Sequence, residues 1–227
     1  MAVPIANLKD MLVLETEPNC PLCKSVRVRP FEQAHRRDYF VCDTCRMVYM
    51  APGQRLNFSD EIARYEAHEN NPDDEGYRNF LSRVAGPLAQ VLQLGAMGLD
   101  YGSGPGPTLS LMLEEKGFPT ANYDPVFAPD KTVLRRSYDF ITCTETAEHF
   151  FNPGEEFDGF DHVLRPGGWL AVMTDLWSED LSLSEWAYAR DPTHVCFYHQ
   201  ATMVWIAQRY HWQMQSPHRS VFLFQKQ

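Results

Sequence analysis

Residues 99–106 read Leu99-Asp100-Tyr101-Gly102-Ser103-Gly104-Pro105-Gly106. The first three end an apolar strand. Beyond the loop, Thr108 to Lys116 carries Leu109, Leu111, Met112 and Leu113 at helical spacing and stops at Gly117. Glycines let a backbone turn tightly and pass close to a ligand, and the helix start behind them offers free N–H groups and positive potential. A second strand, Thr120 to Tyr123, ends at Asp124, eighteen residues after Gly106. A carboxylate there can accept both hydroxyls of a ribose. The G-x-G-x-G spacing is not the G-x-G-x-x-G of dinucleotide folds, and Pro105 and Pro107 remove two amides that a pyrophosphate would use. The loop points to a ligand with a ribose and no phosphate, and away from a nicotinamide-dependent oxidoreductase.

Outward from this loop, strand and helix alternate. A helix is expected from Tyr77 to Leu94, with a kink at Gly86-Pro87. Strands are expected at Tyr138 to Cys143 and Gly168 to Thr174, and helices at Pro153 to Val163 and Ala201 to Tyr210. Two closing strands are expected at Trp212 to Gln215 and Val221 to Phe224. Such alternation predicts an α/β fold, a mainly parallel sheet with helices on both faces, whose ligands bind beyond the carboxyl ends of the strands. Residues 51–76 are polar and turn-rich and read as a linker with one short helix, opened by Ser59 or Asp60.

Four of the six cysteines form two pairs, Cys20-Pro-Leu-Cys23 and Cys42-Asp-Thr-Cys45, with eighteen residues between them. This spacing reads as a zinc site. Two C-x2-C turns supply four sulfurs in tetrahedral array, a closed set that suits a structural metal. Strands are expected at Ser25 to Val28 and Asp38 to Val41, making a zinc ribbon too small to hold a core without its metal. Disulfides would need an oxidising compartment, and the first residues lack the basic start of a secretory signal; a cytoplasmic protein is expected. Cys143 and Cys196 stand among apolar residues and read as small core side chains.

The 227 residues carry a net charge of −10. Residues 20–55 net +4, residues 1–19 net −2, and the remainder nets −12. An acidic body is a poor general surface for nucleic acid. No apolar run is long enough to span a membrane.

The loop and three later stretches together resemble the motifs of class I S-adenosylmethionine-dependent methyltransferases. Those stretches are Tyr123-Asp124, Tyr138 to Glu145 with Glu148-His149, and Leu164-Arg165-Pro166-Gly167-Gly168-Trp169-Leu170. The resemblance covers residues 77–227, and chains with an N-terminal zinc ribbon are found among similar bacterial proteins. It implies a Rossmann-like, seven-stranded sheet whose last two strands form a reversed hairpin. It divides the chain into a ribbon with its N-terminal extension (1–50), a linker (51–76) and a cofactor domain (77–227). By the resemblance Gly102, Gly104 and Gly106 cradle the methionine part, Asp124 holds the ribose, and Asp100 anchors the loop and reaches the amino group. Thr144 and Glu145 face methionine or substrate. Only fourteen residues separate Asp124 from Asp139, too few for the usual helix and third strand. The acidic reader of the adenine amine has no clear counterpart, with Asp130 as a candidate.

Methyl transfer needs an aligned nucleophile and, for a weak one, removal of its proton. His194, His149 and Glu145 are the candidate catalytic residues. Glu145, Glu148 and His149 stand at i, i+3 and i+4, one side of a helical turn. Residues 177–193 form a polar segment able to cover the site, and Trp177, Trp186, Tyr188 and Tyr198 could line an apolar pocket. The sequence thus predicts transfer of a methyl group from S-adenosylmethionine to a small-molecule acceptor, with structural Zn2+ in the ribbon. Two alternatives stand beside it: an RNA base methyltransferase gripping phosphates with the basic ribbon, and an inert cofactor fold with a ribbon for interaction.

Overall fold

The computed structural model describes residues 19–66 and 71–227; the N-terminal extension expected at 1–18 lies outside the described residues. Each C-x2-C pair sits in a tight turn. The Lys24 N–H donates to the Cys20 carbonyl and the Arg46 N–H to the Cys42 carbonyl, both at 2.9 Å, and Lys24 and Arg46 take left-handed backbone at φ 58° and 63°. Between the turns, β1 (Val28–Ala34) and β2 (Arg37–Cys42) pair antiparallel. The two-residue turn His35-Arg36 closes them with both φ positive, as in the hairpin turns that match strand twist. The first strand begins at Val28 and not at Ser25, because the Ser25 carbonyl is taken by the Cys20 N–H of the metal turn. A third strand, β3 (Val48–Met50), adds to β2.

The linker helix α1 (Phe58–Tyr65) is capped by Asn57, whose side chain accepts from the Asp60 N–H, and not by Ser59 or Asp60. Helix α2 (Glu75–Val91) starts on Asp74 and runs through Gly86-Pro87 without ending. Then follow β4 (Gly98–Tyr101), α3 (Thr108–Glu114), β5 (Thr120–Tyr123), β6 (Tyr138–Thr144), α4 (Pro153–Val163), β7 (Leu164–Met173), β8 (Cys196–Phe197), α5 (Gln200–Tyr210), β9 (Gln213–His218) and β10 (Val221–Gln225).

The main sheet has the order β5-β4-β6-β7-β10-β9. Its first four strands are parallel, and β10 runs antiparallel between β7 and β9. The α/β sheet and its reversed terminal hairpin are as expected. It holds six strands among the described residues, not seven: residues 125–137 contain a turn and one 3-10 turn, Val133–Arg135, where a helix and strand would otherwise fit. Period-two alternation assigns strand side chains to two cores. Phe222 and Phe224 of β10 pack with Phe157, Phe160 and Met203 on one face, while Val221 and Leu223 pack with Leu81, Leu88 and Leu113 on the other.

The ribbon is built into the first of these cores. Strand β8 pairs antiparallel with β3, so the ribbon's sheet takes its fourth strand from residues 196–197. Gly154 at the start of α4 lets the chain approach the ribbon closely, since a Cβ there would lie 2.5 Å from the Leu22 carbonyl oxygen. Arg37, 9% exposed, donates to the carbonyls of Ala189, Arg190 and Asp191 at 3.0–3.2 Å. These carbonyls end the 3-10 turn Ala187–Arg190 of the segment 175–198, hereafter the lid. Glu32 accepts from the N–H groups of Leu183 and Ser184 and from the Ser182 hydroxyl. A hydrogen bond to a charged group contributes about 1.5–3 kcal/mol, and orphaning its buried partner costs more. We therefore expect Arg37→Met to lower stability by about 3 kcal/mol or more, a fall in Tm of roughly 6–12 °C for a chain of this size. Urea unfolding measures it; an unchanged midpoint would show the clamp to be dispensable.

Candidate functional site

A cavity of about 830 Å³ opens beyond the carboxyl ends of β4, β5 and β6. The loop after β4 forms its floor. Gly102 and Gly104 line it with φ of +81° and +65°. A Cβ on Gly102 would meet the Thr146 side chain at 2.2 Å, so this position needs glycine on two counts. Gly106 and Asp100 stay behind the wall. The Gly106 carbonyl accepts the Thr108 N–H, and buried Asp100 accepts from the Thr142 hydroxyl at 2.7 Å. Burial pushes the Asp100 carboxyl up to about 6.

Asp124 lines the cavity and shapes it. One carboxylate oxygen accepts from the N–H groups of Val126 (2.8 Å) and Phe127 (3.0 Å), the other from that of Gly104 (3.1 Å). Val126 and Phe127 thereby become an apolar wall. Asp130 lies off the cavity, exposed, its carboxylate bound to the N–H and hydroxyl of Thr132; nothing here assigns it to a ligand. Two hydroxyls of lining residues, Ser103 Oγ and Thr144 Oγ1, are buried with no hydrogen-bond partner among the described residues.

The opposite wall gathers the three catalytic candidates, with Glu148 and Tyr188 beside them. Glu145 follows β6 with φ +49°, a left-handed conformation rare for a side chain of this kind. Burial, then the nearby Glu148 and Asp175, push its carboxyl up to about 9. His149 and His194 lie with ring centroids 4.8 Å apart, edge to face. His149 Nδ1 is 3.0 Å from the Thr193 carbonyl, and His194 Nδ1 is 2.7 Å from the Tyr188 carbonyl. A carbonyl only accepts, so each Nδ1 carries a proton. Burial holds His149 below the usual imidazole value, so this ring is neutral at pH 7. Glu148 is fully buried. One of its oxygens accepts from the Thr174 hydroxyl at 2.9 Å, and the other has no hydrogen-bond partner among the described residues.

Of the four aromatic residues considered for the pocket, Tyr188 lines it. Trp177 instead packs on Phe31 and donates to the Arg46 carbonyl, Trp186 packs on Phe197, and Tyr198 donates to the Ala147 carbonyl. Helix α1 supplies wall residues that the linker reading did not single out: Phe58, Glu61 and Tyr65, the last with its hydroxyl 3.3 Å from His149 Nδ1. The lining includes six carboxylates and no lysine or arginine.

At the ribbon, the Sγ atoms of Cys20, Cys23, Cys42 and Cys45 lie within 4.8 Å of one another. Cys20–Cys45 and Cys23–Cys42 are separated by 3.5 and 3.4 Å. Four sulfurs at 2.3 Å from one zinc would stand roughly 3.8 Å apart. The Thr44 N–H donates to Cys42 Sγ, the kind of outer contact that settles a thiolate.

The sequence family described as a methyltransferase domain matches residues 68–216. The chain belongs to this methyltransferase family. Its fold is similar to that of 1,6-didemethyltoxoflavin-N1-methyltransferase from Burkholderia thailandensis, solved with 1,6-didemethyltoxoflavin and S-adenosylhomocysteine bound. The TM-score is 0.51 at 14% identity, over 87% of this chain and 99% of that one. A protein from Pyrococcus horikoshii gives a TM-score of 0.50 at 11% identity, over 73% and 99% of the two chains. No protein of curated function matches the methyltransferase in sequence. No helix among the described residues is long and apolar enough to cross a membrane.

The two constraints on Gly102 can be separated. Gly102→Ala is expected to destabilise the methyltransferase by about 2–3 kcal/mol, the sum of a steric clash and a left-handed penalty of roughly 1 kcal/mol. Adding Thr146→Ala removes the two closest contacts and leaves the Cβ at 2.8 Å, so thermal unfolding of the double variant recovers part of the loss. Full recovery would show that the φ of this loop carries no cost.

Proposed function

We propose that the protein transfers a methyl group from S-adenosylmethionine to a small-molecule acceptor held under the lid. The observation that carries this reading is the cavity itself. It joins a glycine loop and a ribose-competent carboxylate on one side to a polar Glu-His-His wall on the other, within a volume typical of small-molecule sites. The bound S-adenosylhomocysteine of the Burkholderia enzyme supports the cofactor assignment.

In this reading Gly102 and Gly104 pass under the methionine part, with Gly106 and Asp100 holding the loop from behind. Thr144 supplies a hydroxyl to the cofactor, and Asp124 accepts a ribose hydroxyl with the lone pair its three backbone contacts leave free. The cofactor supplies an electrophilic methyl on a sulfonium. An anionic, aromatic cavity suits that cation. His194, His149 and Glu145 face the acceptor. The neutral His149 and the Glu148 oxygen without a hydrogen-bond partner put electron-pair donors on the acceptor side. Tyr188 lines the acceptor side of the cavity.

The lining explains why RNA is the weaker reading. Rich in carboxyl groups and without lysine or arginine, it offers phosphate no counter-charge. The ribbon's cations are largely engaged: Arg37 on the lid, Arg46 with Glu179, Arg29 with Asp43, and Arg55 on the Phe151 carbonyl and ring. Zinc in the four-cysteine site would be structural, since four sulfurs leave no open position. The unbridged cysteines fit a reducing compartment such as the cytoplasm.

Two measurements test these assignments. Asp124→Asn is expected to weaken S-adenosylmethionine binding at least about tenfold by calorimetry, as loss of charged hydrogen bonds implies; unchanged affinity would refute the ribose role. Metal analysis should find one zinc per chain, reduced in Cys42→Ser together with stability. Full stability in zinc-free protein would remove the structural metal.

A further inference from the structure

The wall opposite the cofactor loop contains more than the general groups of an acceptor site. One ligand-capable atom from each of Glu148, His149 and His194 lies within 4.8 Å of the other two. Donor atoms 2.0–2.2 Å from a shared ion are at most about 4.2 Å apart, so the set needs to close by less than about 1 Å. Each member is already fixed by an outer hydrogen bond: His149 to the Thr193 carbonyl, His194 to the Tyr188 carbonyl, Glu148 to the Thr174 hydroxyl. This is the arrangement that sets the tautomer of metal-bound histidines and orients a ligating carboxylate.

A second observation points to an occupant. Glu148 is 0% exposed, yet Oε1 has no hydrogen-bond partner among the described residues. A buried carboxylate oxygen without a partner is costly, and Arg or Lys could satisfy it, but neither lines the cavity. Glu145, with its backbone at φ +49°, lines the same cavity.

Resting on the methyltransferase reading above, we infer that Glu148, His149 and His194 bind a divalent cation, whose open positions seat an oxygen of the acceptor. Two imidazoles and one carboxylate form a set that takes first-row divalent ions and leaves coordination positions free. The acceptor is then a hydroxyl compound: an alcohol, a phenol or a vicinal diol that binds through two oxygens. Coordination lowers the pKa of the bound hydroxyl, and its proton leaves to solvent. The acceptor oxygen then forms the new O–CH3 bond. The S–CH3 bond breaks with its electron pair retained by sulfur, giving a thioether, an ether and one proton.

The test uses the full chain with its ribbon loaded with zinc. Mn2+ is the first probe, because thiolate sites disfavour it; the signal of free Mn2+ in electron paramagnetic resonance reports binding. A competition titration against a chromophoric chelator then looks for a second equivalent of Zn2+. The expected result is one cation beyond the ribbon zinc, with affinity falling at least about tenfold in Glu148→Gln and in His194→Ala. Far-UV circular dichroism checks that both variants are folded, and the wild-type titration stands without them. Wild-type protein that binds neither Mn2+ nor a second Zn2+ overturns the inference, as does binding undiminished in both folded variants. Cofactor calorimetry on the same samples keeps the two readings apart. Cofactor binding without the second cation sinks only the inference, and a second cation without cofactor binding sinks the methyltransferase assignment.

Discussion

The site depends on how residues 175–198 satisfy their backbone. This lid has one 3-10 turn and, at its end, one residue pair of strand β8. A segment with so little regular structure still must pair its buried N–H and C=O groups. The ribbon does this. Arg37 takes three carbonyls, Glu32 two N–H groups, and the Val195 carbonyl receives the Met50 N–H. From the other side, the Val195 N–H reaches the Glu148 carbonyl and the Cys196 thiol the Phe150 carbonyl. A continuous set of hydrogen bonds therefore runs from β3 through Val195 to the turn that bears Glu148 and His149. The ribbon braces this cavity wall from behind, and a role for it as a detached binding module is not needed to explain its presence.

The same joint gives meaning to the charge distribution. The net −10 combines a basic ribbon and an acidic body. Several ribbon cations face inward or pair with the body, which explains why the charges segregate: they are complementary surfaces of one molecule. Arg46 does two things at once, pairing with Glu179 and stacking over Trp177, whose indole N–H binds the Arg46 carbonyl. The acid left over concentrates in the cavity. There it disfavours phosphate and favours cations, whether a sulfonium or a metal.

The parallel core was legible because its signals are local. Thr120 to Tyr123 and Pro153 to Val163 fall where periodicity and Gly/Pro boundaries placed them. The glycine loop and Asp124 were legible for the same reason: spacing along the chain maps onto one βαβ unit. The remainder depends on contacts that the sequence does not announce. Helix α1 looks like linker, since none of its residues is buried, yet Tyr65 reaches His149. Trp177 looks like pocket lining until Phe31, 146 positions earlier, claims it. His149 and His194 could each be picked out alone; their approach to 4.8 Å is a product of β8 joining the ribbon. Glu148 was grouped with its neighbours by helical spacing, but only its burial reveals an oxygen without a partner.

The shortened segment after Asp124 shows how the fold compensates for a missing piece. With no third helix and strand on that side, β5 becomes the sheet edge, and nothing behind it can form the outer wall of the cavity. The chain builds that wall from the turn itself. Asp124 accepts the N–H groups of Val126 and Phe127, an Asx turn that folds the next residues back, and a bridge between Asp124 and Ala128 closes it. The other carboxylate oxygen ties Gly104, so the loop and the wall are joined through one side chain. A polar reader of adenine has no place in such a turn, whose cavity face is Pro125, Val126 and Phe127. That edge of the cavity is therefore apolar, and Asp124, the one side chain that ties loop to wall, carries three backbone contacts as a result.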